Sequence, residues 1–212
     1  MFEFSELIRQ IAILAVPVLL AITLHEVAHG YTAYLLGDPT ARDAGRLTLN
    51  PIKHLDPIGA IALFIIKVGW AKPVPINAGY FKNPRKDIIL VSVAGPVANF
   101  ILAILFAFIF HLITTFVGPS SSGLSGLIQP VLYMMQAGVL VNLGLGIFNL
   151  LPVPPLDGSN ILAGLLPLHL AEAFMRNSKY GLIILIILLV SGVVQKVIVP
   201  VIYFMASLLL PI

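Results

Sequence analysis

Leu7-Ile-Arg-Gln-Ile-Ala-Ile-Leu-Ala-Val-Pro-Val-Leu-Leu-Ala-Ile-Thr-Leu-His-Glu-Val-Ala-His-Gly-Tyr-Thr-Ala-Tyr-Leu-Leu36 is an apolar run that holds a polar cluster, His25-Glu26-Val27-Ala28-His29, in its second half. A helix of about 30 residues is about 45 Å long, more than the hydrocarbon core of a bilayer at about 30 Å. It is expected to tilt or to protrude at one end. Pro17 offers a kink, and Gly37-Asp38-Pro39 stops the helix. The composition agrees with a lipid solvent. Of the 212 residues 59% are hydrophobic and 10% charged, where a soluble domain carries about 25% charged residues. A soluble fold of this size could not hide so much apolar surface. The first ten residues carry Glu3, Glu6 and Arg9, unlike a positive leader, and no Ala-x-Ala cleavage site follows. The segment is therefore expected to stay as a transmembrane helix. The chain has no cysteine, which excludes disulfides, Cys-ligated zinc and iron–sulfur sites. A formal net charge of +3 is too small to point to a nucleic-acid partner.

Working outward, a polar stretch from Asp38 to Asp87 holds eight of the twelve Lys and Arg residues. Inside it the apolar run Pro57 to Ile66 is too short to span and is expected to be re-entrant or packed on the bundle. Val68 to Tyr80 is rich in Pro and Gly and predicts an extended strand or β-hairpin at the membrane surface, with Trp70 and Tyr80 at headgroup level. Ile88 to Val117 predicts a second span, Gly118 to Gly126 an uncharged turn, and Leu127 to Leu151 a third span that breaks at Pro152-Val-Pro-Pro155. Leu156 to Leu170 begins a new helix. Tyr180 to Leu210 is apolar, interrupted at Gln195-Lys196 and Pro200, and favours a helical hairpin over one kinked span. The expected fold is an all-α polytopic membrane protein of one domain. It is a helical bundle with a three-helix core over about residues 7–170, a re-entrant or β-hairpin element, and C-terminal helices over about 180–210. The positive-inside rule places the 38–87 loop in the cytoplasm, the N-terminus outside and the protein in the cell membrane.

Ionisable groups inside a bilayer are costly and usually functional. Of nine acidic residues only Glu26 and Asp157 lie within or beside the expected spans, and two of the five histidines flank Glu26. On a helix, positions i and i+4 share a face, so His25 and His29 can aim ring nitrogens at one Zn²⁺. Glu26 lies about 100° further around the helix, where it can reach a water on that metal and act as its general base. This is the His-Glu-x-x-His metalloprotease pattern. A catalytic zinc takes three protein ligands and keeps one open position. Asp157, after the Pro-rich break and before Gly158, is the candidate third ligand, with a simple helix N-cap as its alternative reading. Haem ligation is disfavoured, because axial ligands come from opposite faces. The expected cofactor is one Zn²⁺ per chain, at a depth of about 10–17 Å from the cytoplasmic end of the first helix.

Three blocks, Leu24-His-Glu-Val-Ala-His-Gly30, Ala94-Gly-Pro-Val-Ala-Asn99 and Asn149-Leu-Leu-Pro-Val-Pro-Pro-Leu-Asp-Gly158, resemble the site-2 proteases, the intramembrane zinc metalloproteases of peptidase family M50. Their order matches that family's three-helix catalytic core. The resemblance implies zinc on His25, His29 and Asp157, with Glu26 as general base and Asn149 near the scissile bond. It also implies that Asn99 and Gly95-Pro96 shape the core. Read from the residues alone, Asn149 either binds substrate or the developing oxyanion, or makes an interhelical hydrogen bond. Asn99, a weaker candidate for the same role, reads better as a brace among small residues, and so does Asn142. His54, His111 and His169 are expected to be non-ligands. The chain is short for a family member with a PDZ insertion or nucleotide-sensing C-terminal modules.

The expected activity is hydrolysis of transmembrane or membrane-anchored protein substrates within the lipid bilayer. An unwound substrate segment could pair with an edge near Val74–Tyr80. The alternatives are a metal-binding membrane transporter or an inactive protease-like scaffold. A transporter would spread polar residues over several helices, and an inactive relative would be expected to lack Glu26.

Overall fold

The computed structural model describes residues 4–57, 59, 71–117 and 125–211. Helices α1 (Phe4–Leu35), α2 (Pro84–Val117) and α3 (Ser125–Asn149) are each long and apolar enough to cross a membrane. They pack on one another in all three pairings and form the core of the bundle. Helix α2 starts one turn before the expected Ile88. Pro84 takes its first position, where a missing N–H costs nothing, and Asp87 accepts the Asn83 N–H at 2.9 Å.

Helix α3 ends at Asn149, and the Pro-rich break carries the chain through a cis Pro154–Pro155 bond to α4 (Asp157–Leu165). Pro167 then separates α4 from α5 (Leu168–Arg176). Helices α6 (Gly181–Val190) and α7 (Val193–Leu209) complete the chain. One buried cluster joins Ala103, Phe106, Ala107 and Phe110 of α2 to Val139 and Leu143 of α3 and Ala206 of α7. On the outward side of α2, Ile101, Ile104, Leu105 and Phe108 are exposed. Such a surface is stable against acyl chains and unstable against water.

Two sequence expectations change. The C-terminal apolar stretch breaks at Ser191-Gly192, where Gly192 takes φ +75°, and Gln195, Lys196 and Pro200 all lie inside α7. A left-handed residue interrupts a helix more firmly than exposed polar side chains do. The β-hairpin is not formed: no strand occurs among the described residues, and the one β-type pairing of the extended segment 71–77 there is the isolated bridge Leu55–Ala71, beside the Lys72 N–H bond to the His54 carbonyl at 2.9 Å. Its main-chain groups are instead met largely by side chains of α1 and the loop after it, as described below. The run Pro57–Ile66 and Trp70 fall outside the described residues, apart from Pro57 and Gly59.

The start of α4 is fixed by close backbone contact. A Cβ on Gly158 would lie 2.5 Å from the Leu151 carbonyl oxygen and nearer still to that of Leu150. Gly158→Ala is therefore expected to push α4 away from the end of α3 and to destabilise the fold by about 1–3 kcal/mol. A lowered thermal midpoint of the purified protein in detergent checks this; an unchanged midpoint would show that the contact is slack.

Candidate metal centre

His25 and His29 lie one turn apart on α1, and both are buried. Their Nε2 atoms are 3.0 Å from each other. Asp157, the first residue of α4, brings its Oδ2 to 3.2 Å from His25 Nε2 and 3.3 Å from His29 Nε2. Asp157 does not cap its helix: Leu156 is the N-cap residue and makes no side-chain cap.

The other side of each imidazole is occupied. His25 Nδ1 is 2.6 Å from Asn99 Oδ1, and His29 Nδ1 is 2.7 Å from the Val91 carbonyl oxygen. Amide and carbonyl oxygens only accept hydrogen bonds, so each Nδ1 donates its N–H and, in the neutral imidazole, each Nε2 presents a lone pair. Two lone pairs and a carboxylate oxygen thus face one point. Asp157 Oδ2 is buried with no hydrogen-bond partner among the described residues. Three converging acceptors repel one another unless a proton or a metal cation lies between them, and a metal is the one that meets all three at once. Ligand atoms about 2.05 Å from a tetrahedral zinc stand about 3.3 Å apart, and the three separations here are 3.0, 3.2 and 3.3 Å. The donor set, two imidazoles and a carboxylate, fits Zn²⁺ and leaves one coordination position open.

Glu26 is also buried, and its Oε2 accepts the Val74 N–H at 2.8 Å. Val74 belongs to the extended segment 71–77, which lies over this part of α1 as a strap. Arg46 holds one side of the strap, donating to the Lys72 carbonyl at 2.6 Å and the Pro73 carbonyl at 3.1 Å. Asp38 holds the other, accepting the Asn77 N–H at 2.6 Å. Asp38 also accepts from the Thr40 N–H at 3.0 Å and from the Thr40 hydroxyl. Burial pushes the Asp38 carboxyl up, but these three donors outweigh it and hold its pKa below the usual value. Two N–H groups of the expected pairing edge, those of Val74 and Asn77, are thus already engaged.

The remaining sequence candidates separate. Asn99 joins the site through His25. Asn149 turns its amide back on its own helix, donating to the Leu145 carbonyl at 3.0 Å, and no hydrogen bond joins it to the histidines. His54 is buried and donates to the Thr48 carbonyl at 2.8 Å, and His111, inside α2, bonds the Leu209 carbonyl at 2.8 Å. His169 is exposed. Among the described residues, the His25, His29 and Asp157 cluster is the one that could hold a metal. Sequence reading did not find the Val91 carbonyl as the partner of His29, the Val74 N–H as the partner of Glu26, or Arg46 and Asp38 as the clamps of the strap. Backbone partners carry no side-chain signal, and the two charges sit in a loop already rich in charge.

Three membrane-length helices around a buried His₂–carboxylate cluster define a polytopic membrane protein with a metal centre. The family model described as Peptidase family M50 matches residues 13–192. A protein named "Putative zinc metalloprotease YwhC" from Bacillus subtilis is 42% identical over 188 residues, covering 88% of this chain and 84% of that protein. "Putative zinc metalloprotease Rip2" from Mycolicibacterium smegmatis is 32% identical over 184 residues, covering 84% and 66%. No solved structure matches the chain. The chain belongs to peptidase family M50.

Gly95 of α2 faces the two rings. A Cβ there would lie 2.6 Å from His29 Cε1 and 2.7 Å from His25 Cε1, and closer still to His29 Nε2. Gly95→Ala is expected to displace both imidazoles and to weaken metal binding at least ~10-fold, on the scale of losses from disturbed ligand orientation; chelator competition with the purified protein measures it. A second expectation concerns the strap. The folded pKa of Asp38 lies below its unfolded value of about 3.9, so its bonds contribute fully above that pH and are lost as pH falls through the lower folded value. Thermal midpoints should therefore drop below about pH 4, and Asp38→Asn should remove part of that drop.

Proposed function

We propose that this chain is a zinc-dependent intramembrane endopeptidase that hydrolyses transmembrane or membrane-anchored proteins. His25, His29 and Asp157 hold the metal, and Glu26 is the general base. The observation that carries the reading is the convergence of three acceptor atoms within 3.3 Å of one another, with a buried carboxylate one residue from the first of them. Membership of family M50 and the names of the relatives support it.

Bound there, zinc supplies Lewis-acid polarisation of the scissile carbonyl and acidifies a water. The chain's own residues do the rest. Val74 N–H fixes Glu26 Oε2, so Oε1 is the oxygen that takes the proton of the attacking water. Glu26 then returns that proton to the leaving amine nitrogen as the C–N bond breaks. Asn149 has a second amide N–H beyond the one bonded to Leu145. It donates that N–H to the carbonyl oxygen of the bound peptide. The apolar walls of α1 to α3 keep bulk water out, which strengthens each of these contacts.

The substrate must present an unwound peptide, since a helix hides its carbonyls in its own hydrogen bonds. The positive charge of the 38–87 loop orients the chain with that loop in the cytoplasm and the N-terminus outside, in the cell membrane. The centre then sits nearer the cytoplasmic side, and cleavage releases a cytoplasmic fragment.

Glu26→Gln should keep zinc at one ion per chain and abolish cleavage of a model transmembrane substrate in detergent or liposomes, with a loss of at least ~10²-fold. Asp157→Ala should lower the bound zinc itself. Wild-type cleavage by Glu26→Gln would overturn the proposed mechanism, and undiminished zinc in Asp157→Ala would remove that carboxylate from the ligand set.

A further inference from the structure

We infer that Asn99, locked in turn by Asn142, is the positioning residue that fixes the His25 tautomer and so aims its Nε2 lone pair at the metal. The inference rests on the zinc reading above.

A chain of one-way hydrogen bonds carries it. Main-chain carbonyls accept and never donate. The Gly138 carbonyl oxygen lies 2.8 Å from Asn142, so the NH₂ of Asn142 faces it and the Asn142 Oδ1 faces Asn99. The Ala21 carbonyl oxygen lies 3.1 Å from Asn99, and Asn142 Oδ1 lies 3.0 Å from it. Both are acceptors, so the NH₂ of Asn99 faces them with both of its hydrogens. Asn99 Oδ1 is then left for His25 Nδ1 at 2.6 Å. Turning the Asn99 amide over would set its oxygen against two other oxygens and its NH₂ against the ring. His25 would then carry its proton on Nε2, pointing hydrogen instead of a lone pair at the metal. Turning Asn142 over is barred by the Gly138 carbonyl in the same way.

Asn99 and Asn142 are both fully buried, so no water can substitute for a lost partner. The two ligands differ in this respect. His29 is oriented by a main-chain carbonyl, that of Val91, which no side-chain change can remove. His25 is oriented only by side chains, and its orientation runs from α1 through α2 to α3. A plain packing brace between helices would need neither the order nor the direction of these bonds.

The test uses the full chain in detergent, with zinc affinity measured against a competing chelator and Co²⁺ absorption as a report on ligand geometry. Asn99→Leu keeps the side-chain volume and removes the acceptor. It should weaken zinc binding about 10–100-fold and alter the Co²⁺ spectrum. Asn142→Leu should weaken zinc by a smaller factor, and Asn142→Asp should keep the affinity near wild type, because the neutral acid that burial favours donates its O–H to the Gly138 carbonyl and leaves an acceptor oxygen facing Asn99. Zinc affinity within twofold of wild type in both leucine variants, with only the thermal midpoint of the metal-free protein lowered, would overturn the inference and leave Asn99 a brace. If Asn99→Leu does not fold, the Asn142 pair decides: an Asn142→Leu affinity equal to wild type overturns the inference. A wild-type chain that binds no zinc at all would instead sink the zinc reading on which it rests.

Discussion

Three acceptors aimed at one point form the constraint from which the rest of the arrangement follows. His25 Nε2, His29 Nε2 and Asp157 Oδ2 lie within 3.3 Å of one another, a geometry that unshared electron pairs resist without a cation. Two come from one turn of α1. The third is carried in by a helix that starts more than a hundred residues later. Holding it there requires the end of α3 to meet α4 at Gly158 with no room for a methyl group. It also calls for an anchor at the far end of α4, where Arg85 of α2 donates to the carbonyls of Gly164, at 2.6 Å, and Leu166.

The surroundings follow from placing such a group among apolar helices. A polar side chain there has to be satisfied by protein, because unpaired burial costs about 1–3 kcal/mol per group. The structure meets this with a directed set of amides on one side of the cluster and with the strap on the other. The outward faces carry none of this burden and are largely apolar, as at Ile101, Ile104, Leu105 and Phe108 of α2. Small residues do the geometric work between the helices, and at Gly95 the missing side chain leaves space for both imidazoles.

The three spans were legible because length and apolar composition are properties of a single segment. The His25–His29 pairing was legible because i and i+4 share a helix face. Asp157 could be chosen because carboxylates beside a span are so few. The strap was not. Pro and Gly content excludes a helix over residues 71–77 but says nothing about who bonds the freed N–H groups. A hairpin partner was the natural guess, and Glu26 and Asp38 turned out to be the acceptors. Asn99 was visible as a polar residue in an apolar helix, yet its partner depends on how α1, α2 and α3 come together. The helix break at Gly192 was hidden for a different reason: backbone handedness outranked the more conspicuous Gln195-Lys196 and Pro200.

Val74 lies one residue from Pro73, held by Arg46, and three from Asn77, held by Asp38. With its neighbours pinned so closely, the Val74 amide cannot swing away from Glu26 alone. Moving it would disturb at least one flanking clamp as well. All of these clamps come from α1 or the short stretch after it, so the strap is tied to the helix that carries Glu26. The hydrogen bonds along residues 72–77 therefore reinforce one another, and the position of the Glu26 carboxylate is set by the whole segment and not by Val74 alone.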